Sequence, residues 1–187
     1  MNSPMEDWLP RHRLTVADYY RMAEVGLLAA DARVELIEGQ IIDMPPIGSR
    51  HGGMVERIAD LLRSAVGGVA AVRTQQPLRL NAVSEPVPDV TLVRLATDRY
   101  YMHRHPGPAD TLLIVEVSDT TLRIDRQVKL PLYARSGIPE FWLIDLEHAE
   151  ISICTQPGDM GYANIRALAA PGRVQLVALP DACVDLG

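Results

Sequence analysis

The sequence predicts a single α/β domain in which helices flank a central β-sheet. Helix-period and strand-type stretches alternate along the chain, the run Thr111 to Val117 is almost wholly apolar, and glycine and proline mark the boundaries. With 187 residues, 48% hydrophobic and 22% charged, the chain is long enough to bury a sizeable core. No internal repeat or linker composition divides it.

Thr15 suits the N-cap of an amphipathic helix reaching about Leu28, with Val16, Tyr19, Tyr20 and Ala23 at helical spacing. Arg33 to Asp43 reads as two short strands turning at Glu38-Gly39, where glycine supplies the positive φ of a tight turn. Met54, Ile58, Leu61, Leu62 and Ala65 mark one face of a second helix from Ser49 to about Val66, stopped by Gly67-Gly68. Strand-type runs follow at Val69 to Gln76, Pro88 to Leu95 and Thr111 to Val117. The last has the character of a central strand covered on both faces. Ala96 to Asp110, rich in His, Arg, Pro and Gly, reads as a loop. A third helix is expected from about Leu122 to Arg135, closed by Gly137 and kinked or split by Pro131. Strands are then expected at Glu140 to Leu146, Glu150 to Thr155, Tyr162 to Leu168 and Val174 to Leu179, with turns at Pro157-Gly158 and Pro171-Gly172.

A net charge of −6 argues against a surface that coats nucleic acid, because such affinity comes from neutralising many phosphates, although a local basic groove stays compatible with it. Cys154 and Cys183 stand far apart with no zinc spacing, which fits a reducing compartment. Met1 to Pro10 carries Glu6 and Asp7 and no apolar run, and no stretch approaches the roughly 20 residues of a membrane span. The expectation is a cytoplasmic protein.

Acids inside strands need an explanation, since a buried carboxylate is costly unless paired or bound to a metal. Glu116, between Leu112-Leu-Ile-Val115 and Val117, is the sharpest case. Asp89 follows Pro88 at a strand start, where an acid can also cap a turn. Glu35, taken alone, reads as a solvated partner of Arg33. Two acids on neighbouring strand ends can hold Mg²⁺, which takes hard oxygen ligands and keeps waters for substrate phosphates. A nearby lysine would complete the set as a compact point charge. Of the 18 basic residues, 17 are arginine and one, Lys129, is lysine.

Val34-Glu-Leu-Ile-Glu-Gly-Gln-Ile41, His51-Gly, Pro88-Asp-Val-Thr-Leu-Val93, Ile114-Val-Glu-Val-Ser118, Asp125 with Lys129, and Tyr133 to Asp145 together resemble the Uma-type family of putative restriction endonucleases, within the PD-(D/E)xK nuclease superfamily. The resemblance implies a restriction-endonuclease-like fold, a mixed central sheet flanked by helices, with the site at one edge of the central strands. It implies Asp89 and Glu116 as metal ligands, Glu35 as the acid of the preceding hairpin close to the same metal, and Lys129 as the catalytic lysine. The usual motif lysine is absent: Ser118 stands in its place. The implied activity is Mg²⁺-dependent hydrolysis of phosphodiester bonds in DNA, with Mn²⁺ able to substitute. Cleavage of both strands of a duplex by one site per chain suggests a homodimer.

Other residues read less sharply. His103 and His105 suit a solvated loop better than a metal, and His51 suits a site edge or the surface equally. Asp125 stands i, i+4 to Lys129, as an ion pair or an orienting group. Tyr133, Phe141 and Trp142 suit the core, and Glu140 and Asp145 suit the ends of a strand. A binding or assembly module without turnover is the alternative, suggested by the acidic charge. A glycosidase using Glu35 and Glu116 ranks last, since aromatics make up only 5% of the chain.

Overall fold

The computed structural model describes residues 10–29, 31–96, 101–168 and 172–187. The chain folds into two compact units, Met1–Pro45 with Leu80–Pro86, and Pro46–Arg79 with Val87–Gly187.

In the first unit, α1 (Val16–Glu24) begins at a reciprocal cap: Asp18 N donates to the Thr15 hydroxyl, and the Asp18 carboxylate accepts from Thr15 N. The helix stops short of Leu28 because Gly26, at φ +77°, takes the left-handed conformation that ends helices. β1 (Val34–Ile37) and β2 (Gln40–Asp43) form an antiparallel hairpin in which Ile37 faces Gln40. Its two turn residues, Glu38 and Gly39, have φ of +50° and +77°, as a two-residue turn between right-twisted strands requires. Gly39 also lies against Arg13, and a Cβ there would sit 2.5 Å from the Arg13 Cβ. Glu35 on β1 is 4% exposed, so the expectation of a solvated partner for Arg33 fails; Arg33 donates instead to the Pro45 carbonyl.

The second unit holds a mixed six-stranded sheet of β3 (Ala70–Thr74), β4 (Val90–Arg94), β5 (Thr111–Ser118), β6 (Glu140–Asp145), β7 (Glu150–Gly158) and β8 (Gly161–Leu168), in that order. β5 and β6 are parallel; every other neighbouring pair is antiparallel. Every residue of β5 and β6 is buried, which accounts for their near-continuous apolar character. α2 (Ser49–Val66) buries Val55, Ile58, Ala59, Leu62 and Val66 in a cluster with Val115, Val117, Trp142 and Ile144 of the central strands. Gly67, at φ +54°, ends it where expected.

The β5–β6 crossover carries the third helical segment, which the structure divides as Pro131 requires. α3 (Leu122–Ile124) leads into a π-helical turn, Asp125–Lys129, and then α4 (Leu130–Arg135). Leu130 N donates five residues back to Asp125 O, and Pro131 has no N–H with which to continue an α-helical ladder. Tyr133 of α4 packs on Phe141 at 5.5 Å between ring centroids, and Phe141 stacks on Tyr162.

Two expectations about the end of the chain are corrected. The single strand expected at Val174 to Leu179 is a hairpin, β9 (Arg173–Leu176) and β10 (Leu179–Asp185), with an irregular register between Leu179 and Cys183. β7 continues through Pro157-Gly158 and turns at Asp159-Met160. The loop at Ala96 to Asp110 and the turn at Pro171-Gly172 fall partly outside the described residues. Cys154, buried on β7, and Cys183 are both free, and burial pushes the Cys154 thiol up to about 12. Among the described residues, no helix is long and apolar enough to cross a membrane.

Gly39→Ala places a Cβ at positive φ and into Arg13. It is expected to destabilise the protein by at least about 1 kcal/mol, read as a lowered urea midpoint.

Candidate active site

The register of the sheet places the two sharpest acids together. Val90 pairs with Val115, so Asp89, one residue before β4, lies beside Glu116 on β5. The two residues bond across the strands: the Asp89 carboxylate accepts from Val117 N at 2.8 Å, and Asp89 N approaches Glu116 Oε2 at 3.4 Å. Side chains alternate along a strand, so Glu116 points away from the face on which Val115 and Val117 meet α2. It points instead toward the crossover segment. There Glu116 Oε1 accepts from the Tyr133 hydroxyl at 2.6 Å and from Lys129 Nζ at 3.2 Å.

Asp89 is 7% exposed, Glu116 2% and Lys129 6%. Charges this deeply buried need partners, and removing one member of such a pair costs about 3–5 kcal/mol. Lys129 has a second acid 3.9 Å away, Asp125 Oδ1. Asp125 is itself held, its Oδ2 accepting from Ser118 Oγ at 2.8 Å and Thr121 Oγ1 at 2.6 Å. Ser118, which occupies the usual motif-lysine position, therefore anchors the acid beside the lysine of the crossover. Asp125 thus forms the expected i, i+4 pair with Lys129, and its own hydrogen bonds fix it there.

His51, near the start of α2, lies beside Asp89, with Nε2 2.9 Å from Asp89 Oδ1. Its pKa is raised, chiefly by that hydrogen bond, with burial opposing. Gln75, just past β3, brings its amide to 3.4 Å from the same oxygen and donates its backbone N–H to Asp89 O at 3.0 Å. It does so in the left-handed conformation, φ +49°, which is uncommon for a residue other than glycine.

Asp89, Glu116 and Lys129 are thus brought together within the second unit. Glu35 belongs to the first unit, on β1, and is buried. Glu140 and Asp145 bracket β6 as expected; Glu140 accepts from Trp142 Nε1 and Val177 N, and Asp145 caps the turn at Glu147 and His148. His103 is exposed, and among the described residues no group of three or more His, Cys, Asp and Glu side chains converges on one point. Phe141 and Trp142 are core residues, and so is Tyr133, but its hydroxyl also reaches the site. The spacing of Asp125, Lys129 and Tyr133, four residues apart, is the signal that would have found it. Gln75 has no comparable signal in the sequence.

The family model for Uma2, described as "Putative restriction endonuclease", matches residues 16–186. The chain belongs to the Uma2 family. A solved structure described as "a putative nuclease belonging to DUF820", from Anabaena variabilis, shares this Uma2 chain's fold with a TM-score of 0.69. The match covers 88% of this chain and 90% of that one at 14% identity. No curated protein matches the sequence. The restriction-endonuclease-like fold expected from the resemblance is the fold observed.

Because the folded protein raises the pKa of His51, the protonated His51–Asp89 pair stabilises the fold fully below the ordinary imidazole value of 6.5, and this contribution fades as the pH rises through the raised folded value. His51→Gln is expected to flatten the dependence of melting temperature on pH across that window. An unchanged pH profile in the variant would show that the pair does not carry it.

Proposed function

We propose that this Uma2 chain is a Mg²⁺-dependent hydrolase of phosphodiester bonds in DNA. The observation that carries the reading is the buried pairing of Asp89 and Glu116 across β4 and β5 with Lys129 at 3.2 Å. Mg²⁺ fits this donor set by chemistry: both acids are hard oxygen donors, and the ion is commonly held by only one or two carboxylates. A carboxylate accepts in about four directions, so protein donors and a cation can share it. Asp89 and Glu116 would hold the ion, and Mn²⁺ would be expected to replace it.

When bound, the ion supplies charge neutralisation at the phosphoryl group and acidification of water. The rest falls to the chain. The Val117 N–H and His51 orient the Asp89 carboxylate, and the Tyr133 hydroxyl orients that of Glu116. Lys129 Nζ would supply positive charge to a phosphoryl group held beside Glu116, and Asp125, 3.9 Å away, restrains that ammonium. Glu35 stays a candidate third acid, to be tested beside these. Cleavage of both strands of a duplex favours a homodimer with one site per chain.

One observation favours the second reading, a binding or assembly module. Protein donors already engage both carboxylates, so the cluster is internally satisfied as it stands.

Plasmid cleavage with Mg²⁺ or Mn²⁺ tests the proposal. The wild type should convert supercoiled to nicked or linear DNA, and Asp89→Asn and Lys129→Met should each lose about 10²–10³ in rate. Glu35→Gln in the same assay decides its part. Equal activity in wild type, Asp89→Asn and Lys129→Met, with melting curves showing folded protein, would remove the assignment.

A further inference from the structure

A net charge of −6 poses a problem for any protein that handles DNA, and the second unit contains a local answer. β3 is an edge strand of the six-stranded sheet. Along it runs an open groove of about 540 Å³, bounded by Arg63 of α2, by Gly68, by Ala70 to Thr74 with Gln76, and by Leu95 and Tyr101. Among the described residues that line it, two are arginines and none is acidic. In a chain with more acids than bases, that local balance is inverted.

The arginines are placed in different ways. Arg63 is exposed and pairs with Asp60 three residues back, the kind of surface pair that exchanges readily for a stronger anion. Arg73 is half-buried, with its guanidinium 5.6 Å from the centre of the Tyr101 ring. The Tyr101 hydroxyl is tied to Arg94 O at 2.7 Å, so the ring is a fixed platform. Arg104 lies over the same ring at 5.2 Å, and the attraction of the ring for cations helps to hold the Arg73 guanidinium in place. Arg73 is thus pre-organised, which lowers the ordering cost of binding.

The end of β3 adjoins the candidate active site, since Thr74 pairs with Val90, the residue after Asp89. Thr74 and Gln76 line the groove, and Gln75 between them touches Asp89 through both its backbone N–H and its side-chain amide. Five residues of strand run about 17 Å at about 3.3 Å each, while each strand of a duplex carries one phosphate per about 3.4 Å of axis. The length suits several phosphates, of which two would meet an arginine.

We propose that the β3-edge groove is the track for the sugar–phosphate backbone of the DNA substrate, with Arg63 and Arg73 binding phosphates and leading the strand to Asp89 and Glu116. The inference rests on the hydrolase reading for its choice of ligand, and its test separates the two.

The probe is a short fluorescein-labelled DNA duplex, read by anisotropy over a salt series with Ca²⁺ in place of Mg²⁺. The double variant Arg63→Gln/Arg73→Gln should bind about tenfold more weakly at low salt. The slope of log K against log salt should fall by about 1.8, roughly 0.9 for each phosphate that no longer meets an arginine. Arg73→Lys, which keeps the charge, should retain the slope. If the double variant does not fold, Arg63→Gln alone, at an exposed position, should still lower the slope by about 0.9. Unchanged affinity and slope in a folded variant would overturn the groove, and if cleavage still depended on Asp89 the hydrolase reading would survive. Conversely, a reduced slope alongside a wild type that cleaves nothing with any divalent ion would support the groove and remove the hydrolase.

Discussion

The Glu116 side chain sits in a strand buried on both faces, and the surrounding structure supplies it with hydrogen-bond donors and a positive charge. An acid in that position requires positive charge and hydrogen-bond donors from outside its own strand. Asp89 N approaches it from β4, and Lys129 and the Tyr133 hydroxyl approach from the β5–β6 crossover. The crossover must therefore return over Glu116, and its π-helical turn sets the angle at which Lys129 and Tyr133 arrive. Pro131 falls just after that turn, where the missing N–H suits a ladder already shifted to five-residue bonds.

The same constraint accounts for Ser118. A lysine two residues beyond Glu116 would extend from the strand itself. Here the ammonium comes from the helix, and the strand position holds a hydroxyl that fixes Asp125, which lies 3.9 Å from that ammonium. One change on the strand and one on the helix are coupled through Asp125. The solitary lysine of an arginine-rich chain thereby acquires a physical role, since a compact ammonium fits a buried slot beside two carboxylates better than a planar guanidinium does.

Much of this was legible in the sequence, and what was not has identifiable causes. The apolar run of β5, the glycine of the β1–β2 turn and the stripe of α2 each carry their signal within a few residues, and the structure places each element close to where that signal lies. The β9–β10 hairpin was missed because Pro180 and the irregular register near Leu179 break the alternation that marks a strand. Asp89 and Glu116 announced themselves as acids in apolar company. Gln75 did not, because its contact with Asp89 comes from strand register, a tertiary fact, and Tyr133 showed only in its four-residue spacing from Lys129. The burial of Glu35 was hidden for the same reason: a four-residue strand looks the same in sequence whether one face or both are covered.

The central claim is that Asp89 and Glu116 share one divalent ion. Crystals soaked in Mn²⁺, with data collected at the manganese absorption edge, test it directly. The account expects one anomalous peak within inner-sphere distance, about 2 Å, of an oxygen from each carboxylate, with Lys129 still on Glu116 or turned toward a ligand water. Full-occupancy manganese elsewhere on the protein, with both carboxylates still engaged only by Val117, His51, Tyr133 and Lys129, would contradict it.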